Sequence, residues 1–236
     1  MDPRHIFVDE RLNVAGYCVY CGAKSESQDH CPSKVLLDEP YPLNLPVVEA
    51  CVDCNNKFSL DEQYVACLIE AVICGSTRPE DVTRENIKRI LADTPRLAGR
   101  IERSKQFDES GNAVWNVDIE RVQRVVLKLA RAHIADQISL TRTENPDRVS
   151  IIPLILMSEE QRSEFESPED GSLGCWPEVG TRSFIRAAKS WPSLQWTGWV
   201  VVQPGRYRYL VRQSDGVFVS LVLSEYLACH VAWHDE

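Results

Sequence analysis

The sequence predicts an α+β fold with a cysteine-rich N-terminal module over residues 1–75, a helical segment over 76–145 and an antiparallel β-rich domain over 146–236. Three observations lead to this prediction. The N-terminal part contains two Cys-x-x-Cys pairs, the middle contains a long amphipathic helical pattern, and the C-terminal part contains β-branched runs separated by Pro-Gly and Asp-Gly turns. A chain of 236 residues, 44% of them hydrophobic, is long enough to bury a substantial core.

The N-terminal module contains Cys18 and Cys21, and later Cys51 and Cys54. Four thiolates in two such pairs have the spacing of a structural zinc site, and Gly22 after the first pair is typical of the turn that such a site requires. The alternative is four unrelated core cysteines, but that interpretation leaves the two equal spacings unexplained. The sequence therefore predicts one structural Zn²⁺ that holds the intervening chain at both ends.

The stretch between the cysteine pairs carries a second pattern. Asp29 and His30 follow the first pair, Asn44 lies in the intervening loop, and Asn55 directly follows the last cysteine. Over about residues 17–62 this pattern resembles the zinc-stapled HNH (ββα-metal) endonuclease family. The resemblance implies a β-hairpin that carries the Asp-His pair, a loop that carries the first asparagine, and a helix that begins near the second cysteine pair.

The same resemblance implies roles for these residues. His30 is the expected general base, Asp29 and Asn55 are expected ligands of a catalytic Mg²⁺ or Mn²⁺, and Asn44 is expected to orient the base or brace the loop. The assignment makes chemical sense because histidine titrates near neutral pH and oxygen donors suit these hard cations. His30 as a neighbour of the zinc site or as a buried core histidine remains an alternative.

Glu62 allows two interpretations. It lies in the sequence Ser59-Leu60-Asp61-Glu62, where it can form a capping box with Ser59 at the start of a helix. It can instead complete the catalytic metal site. The capping box is the simpler interpretation, and both remain open.

Charge and composition restrict the class of protein. The formal net charge of −9 argues against a surface coated with nucleic acid, although residues 76–148 hold 14 basic and 12 acidic residues and are the least acidic part. The N-terminus has no basic region followed by an apolar run, and the most apolar helical pattern is interrupted by Glu70. We therefore expect a cytoplasmic protein without a membrane partner.

Apolar residues recur at helical spacing in the middle of the chain. Gly75 is expected to end the first helix, and Pro95 is expected to begin the third. His133 lies on the apolar stripe of the last helix, where a buried, hydrogen-bonded histidine is a better interpretation than a second catalytic group. The expected elements are helices over 59–74, 79–92, 95–104 and 118–139, and a loop or small hairpin over 107–116.

The C-terminal part is expected to form an antiparallel sheet. Its strands are expected over 149–157, 197–203, 206–213, 217–223 and 226–233, with an irregular excursion over 158–180. Its tryptophans are expected in the core of the sheet, namely Trp191, Trp196, Trp199 and Trp233. Tyr207, Arg208 and Tyr209 suit a surface that stacks on bases, but the alternation of a half-exposed strand explains them better.

The helix over 118–139 also carries basic residues, Arg121, Arg124, Lys128 and Arg131, spaced so that they share one face. Such a face is a candidate for contacts with phosphate groups. An ordinary solvated helix face with local ion pairs is an equally good interpretation.

The resemblance therefore implies metal-dependent hydrolysis of nucleic-acid phosphodiester bonds, with DNA as the expected substrate. Bacterial proteins of this family often act in restriction or defence, and that role is an analogy. One alternative is a non-catalytic zinc module that binds nucleic acid or protein. Another is a toxin-like nuclease controlled by an effector or protein partner that binds the C-terminal sheet.

Overall fold

The computed structural model describes residues 16–43, 45–166 and 198–235. It confirms a mixed fold of helices and sheets that ends in a five-stranded antiparallel sheet. The predictions for Asn44 and for Trp191 and Trp196 lie outside the described residues.

The N-terminal module is a hairpin followed by a long helix. Strand β1 (Ser27–His30) pairs antiparallel with β2 (Val47–Ala50), and α1 (Val52–Cys74) follows at once. Gly75 ends α1 at a positive φ of 73°, as predicted. Because α1 begins before Ser59, that serine is not an N-cap, and the capping-box interpretation of Glu62 is wrong.

The middle of the chain forms three further helices and a small hairpin. The predicted helix over 79–92 is wrong in its first half, where Pro79–Asp81 is a single 3-10 turn. Between this turn and the helix the chain is extended, because the buried guanidinium of Arg84 donates to the carbonyl of Leu37 and anchors the segment there. The elements are α2 (Glu85–Asp93), α3 (Pro95–Ser104), β3 (Lys105–Phe107), β4 (Ala113–Trp115) and α4 (Ile119–Ile138).

The C-terminal sheet has the strand order β5-β9-β8-β7-β6, and all neighbours are antiparallel. Its strands are β5 (Arg148–Pro153), β6 (Val200–Gln203), β7 (Tyr207–Gln213), β8 (Gly216–Leu223) and β9 (Leu227–His234). A helix, α5 (Glu159–Glu166), occupies part of the stretch that was predicted to be irregular. Ser158 and Gln161 cap it reciprocally, which is a capping box that the sequence prediction missed.

One face of the C-terminal sheet packs against α4. The main hydrophobic core contains residues from each of the segments 1–75, 76–145 and 146–236, so the division into those three domains stays a prediction about chain organisation.

Trp199 and Trp233 are buried as predicted. The ring of Tyr209 stacks on His133 of α4 with ring centroids 3.7 Å apart, and Tyr207 is equally buried, so neither forms a stacking surface for bases.

His133 is a buried, hydrogen-bonded histidine, as predicted. Its Nε2 lies 2.7 Å from the hydroxyl of Tyr207 on β7, and its Nδ1 lies 3.1 Å from Sγ of Cys31. Cys31 is the residue after β1. A chain of two hydrogen bonds therefore joins the C-terminal sheet to the end of the N-terminal hairpin.

Candidate metal centre and adjoining cleft

Two segments, the turn before β1 and the start of α1, bring the four predicted zinc ligands together. Cys18 and Cys21 lie in a turn before β1, where the N–H of Gly22 donates to the carbonyl of Cys18 at 2.8 Å. Gly22 has a positive φ of 74°, which glycine adopts without strain. Cys51 is the residue immediately before α1, and Cys54 lies in the first turn of that helix.

The sulfur geometry suits one tetrahedral metal ion. The four Sγ atoms all lie within 4.8 Å of one another, and those of Cys21 and Cys51 are 3.8 Å apart. Tetrahedral zinc with Zn–S bonds of about 2.3 Å requires sulfur separations of about 3.8 Å. The backbone N–H of Cys54 lowers the pKa of the Cys51 thiol, which favours its thiolate form, whereas burial raises the pKa of the Cys18 and Cys54 thiols. The predicted cysteine cluster is therefore confirmed as a site that fits a structural zinc.

This cluster fixes the hairpin against the rest of the molecule. Its surroundings form a small hydrophobic core in which Cys18, Val19 and Tyr20 pack with Ala132 and Ala135 of α4. The N–H of Val19 also donates to the carbonyl of Glu49 on β2 at 3.0 Å. As a result, a metal ion bound by the cysteines would position β1, and with it Asp29 and His30.

A buried lysine joins the two predicted carboxylate ligands. The side chain of Lys128 on α4 has no exposed surface, and its Nζ lies 2.6 Å from Oδ2 of Asp29 and 2.5 Å from Oε1 of Glu62. The hydroxyl of Ser33 is 2.6 Å from the same nitrogen, and the hydroxyl of Tyr20 donates to Oδ2 of Asp29 at 2.7 Å. Burial lowers the pKa of Lys128, but the two carboxylates outweigh it and raise that pKa. Lys128 therefore stays an ammonium ion.

An open cleft of about 490 Å³ lies beside this ion cluster, bounded by the loop after β1 and by helices α1 and α2. Asp29, His30 and Glu62 all line it. His30 is half-buried at the end of β1. The structure thus brings the predicted base and two predicted metal ligands to one solvent-accessible place.

Asn55 is placed differently from these residues. Its amide nitrogen donates to Oγ of Ser27 and to the carbonyl of Gln28, both at 3.3 Å. It does not appear among the described residues that line the cleft. The two carboxylates share one cation, whereas the side chain of Asn55 binds β1.

The cleft also contains residues that sequence analysis missed. Lys34 and Tyr41 come from the loop after β1, and Asn86 and Arg89 come from α2. Lys34 follows the Asp-His pair closely, and that proximity was an available signal. The α2 residues have no local signal, because only the tertiary packing of α2 beside α1 brings them to the cleft.

The predicted basic face of α4 is not the exposed surface that was expected. Lys128 is fully buried, Arg121 pairs with Asp61 at 2.5 Å, and Arg131 donates to backbone carbonyls. Only Arg124 has a side chain with substantial exposure, 44%, and it pairs with Asp61 as well. The physical reason is that α4 packs against α1, whose acidic residues face it. A role of these four residues in binding nucleic acid stays a prediction.

No protein-family model matches the chain, and neither a curated protein nor a solved structure is significantly similar to it. The functional interpretation therefore rests on the residues and the geometry of the site. Within the described parts of the chain, no helix combines the length and the apolar character needed to cross a membrane.

Proposed function

We propose that this protein is a metal-dependent endonuclease of the HNH type that hydrolyses phosphodiester bonds in DNA. One observation carries the proposal. His30 ends the first strand of a hairpin-helix unit with a cysteine cluster at its base, and it lines an open cleft together with Asp29 and Glu62. This arrangement has the order of parts that the resemblance implies, namely hairpin, histidine, cysteine cluster and helix.

His30 is the proposed general base. Its imidazole takes a proton from the water that attacks the phosphorus atom, since a neutral imidazole is an effective base near pH 7. The side chain borders the cleft, which is large enough to admit a phosphodiester group. The backbone next to His30 is held in place, because the side chain of Cys31 is hydrogen-bonded to His133 of α4.

Asp29 and Glu62 are the proposed ligands of a catalytic Mg²⁺ or Mn²⁺, and Asn55 is the alternative second ligand that the resemblance implies. The carboxylates of Asp29 and Glu62 lie close together, since both contact the ammonium of Lys128, and both residues line the cleft from which a divalent cation would reach them. A bound divalent cation would stabilise the charge that develops on the phosphate. The ammonium of Lys128 neutralises part of the negative charge of the same two carboxylates.

The substrate is proposed to reach this site along Lys34 and Arg89, the basic residues that line the cleft. Contacts of this kind provide affinity without sequence specificity. A role in restriction or defence against foreign DNA is compatible with such a site and remains part of the proposal.

We expect His30→Ala to reduce the cleavage rate on the order of a hundred-fold or more, because the attacking water loses its base. The measurement is nicking of supercoiled plasmid in the presence of Mn²⁺ or Mg²⁺. The matched control is His234→Ala, which removes an exposed histidine of β9 that is not among the described residues lining the cleft. Zinc content and melting temperature should be unchanged in both variants. Full activity of His30→Ala would remove this histidine from the chemistry.

We expect Arg89→Gln to weaken duplex binding several-fold and to reduce the slope of log affinity against log salt by about one unit, because one phosphate contact is lost. Stability should change little, since the pair of Arg89 with Glu39 is long, 3.8 Å, and both side chains are exposed. The control is Arg96→Gln, which removes the same charge from an exposed position on α3. Equal binding by the two variants would place the DNA elsewhere.

One observation favours the non-catalytic alternative, in which the module binds nucleic acid or protein without cleaving it. Oδ2 of Asp29 already accepts hydrogen bonds from both Lys128 and Tyr20, which leaves this oxygen less available to a divalent cation. Purified protein that binds plasmid but does not nick it with either cation would support this alternative.

A further inference from the structure

The outer face of the C-terminal sheet, which is the face away from α4, carries a row of polar residues. Ser150 on β5, His230 on β9 and Ser220 on β8 lie directly opposite one another in the strand register. The hydroxyl of Ser220 is buried and lies 3.1 Å from Nδ1 of His230. Three adjacent strands thus present hydroxyl and imidazole groups side by side on this face.

Two arginines lie at the ends of the neighbouring row. In the neighbouring row of the sheet, Arg148 is on β5 and Arg212 is on β7, with Ala232 and Phe218 between them. The backbones of β5 and β7 are about 14 Å apart, since neighbouring strands are separated by about 4.8 Å. An arginine side chain spans about half of that distance, so the two guanidinium groups can converge on one ligand above the sheet.

These residues line a second cleft of about 460 Å³, which is closed on one side by α5. Its polar lining residues are Arg148, Ser150, Gln161, Glu164, Arg212, Ser220 and His230. The remaining lining residues are apolar, namely Ile152, Met157 and Phe165. A cleft of this size, with an apolar wall and a few converging polar groups, has the properties of a small-molecule site.

The charge of the cleft indicates the kind of ligand. Burial, together with the positive charges of Arg212 and Arg148, lowers the pKa of His230 to about 4. At neutral pH this histidine is therefore uncharged and can form hydrogen bonds beside the two arginines. The described lining residues include two arginines and one carboxylate, that of Glu164, so their formal charge is positive. A positively charged cleft is distinctive in a chain of net charge −9.

We propose that this cleft binds a small organic phosphate monoester. The guanidinium groups of Arg148 and Arg212 hold the phosphate, because arginine donates in pairs to oxyanions. Ser150 adds a hydroxyl donor, and the apolar lining at Phe165 accommodates the organic part. The proposal does not depend on nuclease activity, since the described residues that line the two clefts are all different.

The test is isothermal titration of the full-length protein with inorganic phosphate, ribose 5-phosphate, adenosine monophosphate and adenosine. We expect saturable binding of the two esters, at least tenfold tighter than inorganic phosphate, and no binding of adenosine. Arg148→Gln and Arg212→Gln should each weaken ester binding about tenfold or more. Arg96→Gln, which removes an exposed arginine from α3, should bind as the unchanged protein does.

Arg148→Gln is the decisive variant because Arg148 is exposed at the edge of the sheet, so its loss should leave the fold intact. Arg212 lies over the ring of Phe218 at 5.5 Å, and its variant needs a melting temperature beside the titration. Absence of saturable ester binding would overturn the proposal, and so would ester binding that Arg148→Gln leaves unchanged. Esters that bind no more tightly than inorganic phosphate would overturn the assignment of an organic ligand.

Discussion

Replacing Lys128 by Met is expected to lower the free energy of unfolding by about 3–5 kcal/mol, which is the usual effect of removing one partner from a buried ion cluster. Methionine has a similar length but no charge, so Asp29 and Glu62 would face each other in a buried place without their shared cation. Urea denaturation followed by circular dichroism measures the change. Cleavage should fall as well, since the positions of both carboxylates depend on the ammonium.

The matched control is Arg124→Met, on the same helix. Arg124 also pairs with a carboxylate of α1, but its side chain is 44% exposed, so the expected loss is at most about 1 kcal/mol. Adding Asp29→Asn and Glu62→Gln to Lys128→Met should restore part of the stability, because neutral amides can be buried at lower cost. A loss for Lys128→Met no larger than that of the control would show that the cluster is not a determinant of stability.

Replacing Cys54 by Ser is expected to abolish zinc binding and to unfold the hairpin around residues 16–51. The hairpin is short, and in small metal-bound modules metal binding and folding are coupled, so the loss of one ligand should release it. Metal analysis by mass spectrometry should find one zinc per chain in the unchanged protein and none in the variant. Limited proteolysis should then cut the variant before α1.

Cys74→Ser is the control for this experiment. Cys74 is partly buried at the end of α1, contacts Glu70, and belongs to neither cysteine pair. Its variant should retain zinc and resist the protease. Protein purified without chelator and found free of zinc would contradict the assignment of the four cysteines, as would a zinc-loaded Cys54→Ser variant.

Features that depend on neighbouring residues were predictable. The spacing of the cysteine pairs identifies the metal cluster, since ligand spacing within each pair is a local property. The helix α4 and the burial of His133 followed from apolar residues at helical spacing. The strands of the C-terminal sheet followed from β-branched runs and turn residues.

Features that depend on distant residues were predicted less well. Periodicity showed that Lys128 and Arg124 share a face of α4, but it could not show that Asp61 and Glu62 of α1 lie against that face. The same limitation affected Glu62, whose partners Ser33 and Lys128 are far from it in the chain. Charged residues at a helix surface look alike in a sequence whether they meet solvent or a second charged helix.

The hydrogen-bond chain from Tyr207 through His133 to Cys31 has a consequence for how this protein can evolve. Many small metal-bound modules spread by recombination, because their residues are contiguous and need little from their hosts. Here Cys31, the residue next to His30, depends on Tyr207 of the C-terminal sheet through His133, and Asp29 depends on Lys128 of α4. We expect a transplanted N-terminal module to lack these partners, so inheritance should keep the hairpin, α4 and the C-terminal sheet together.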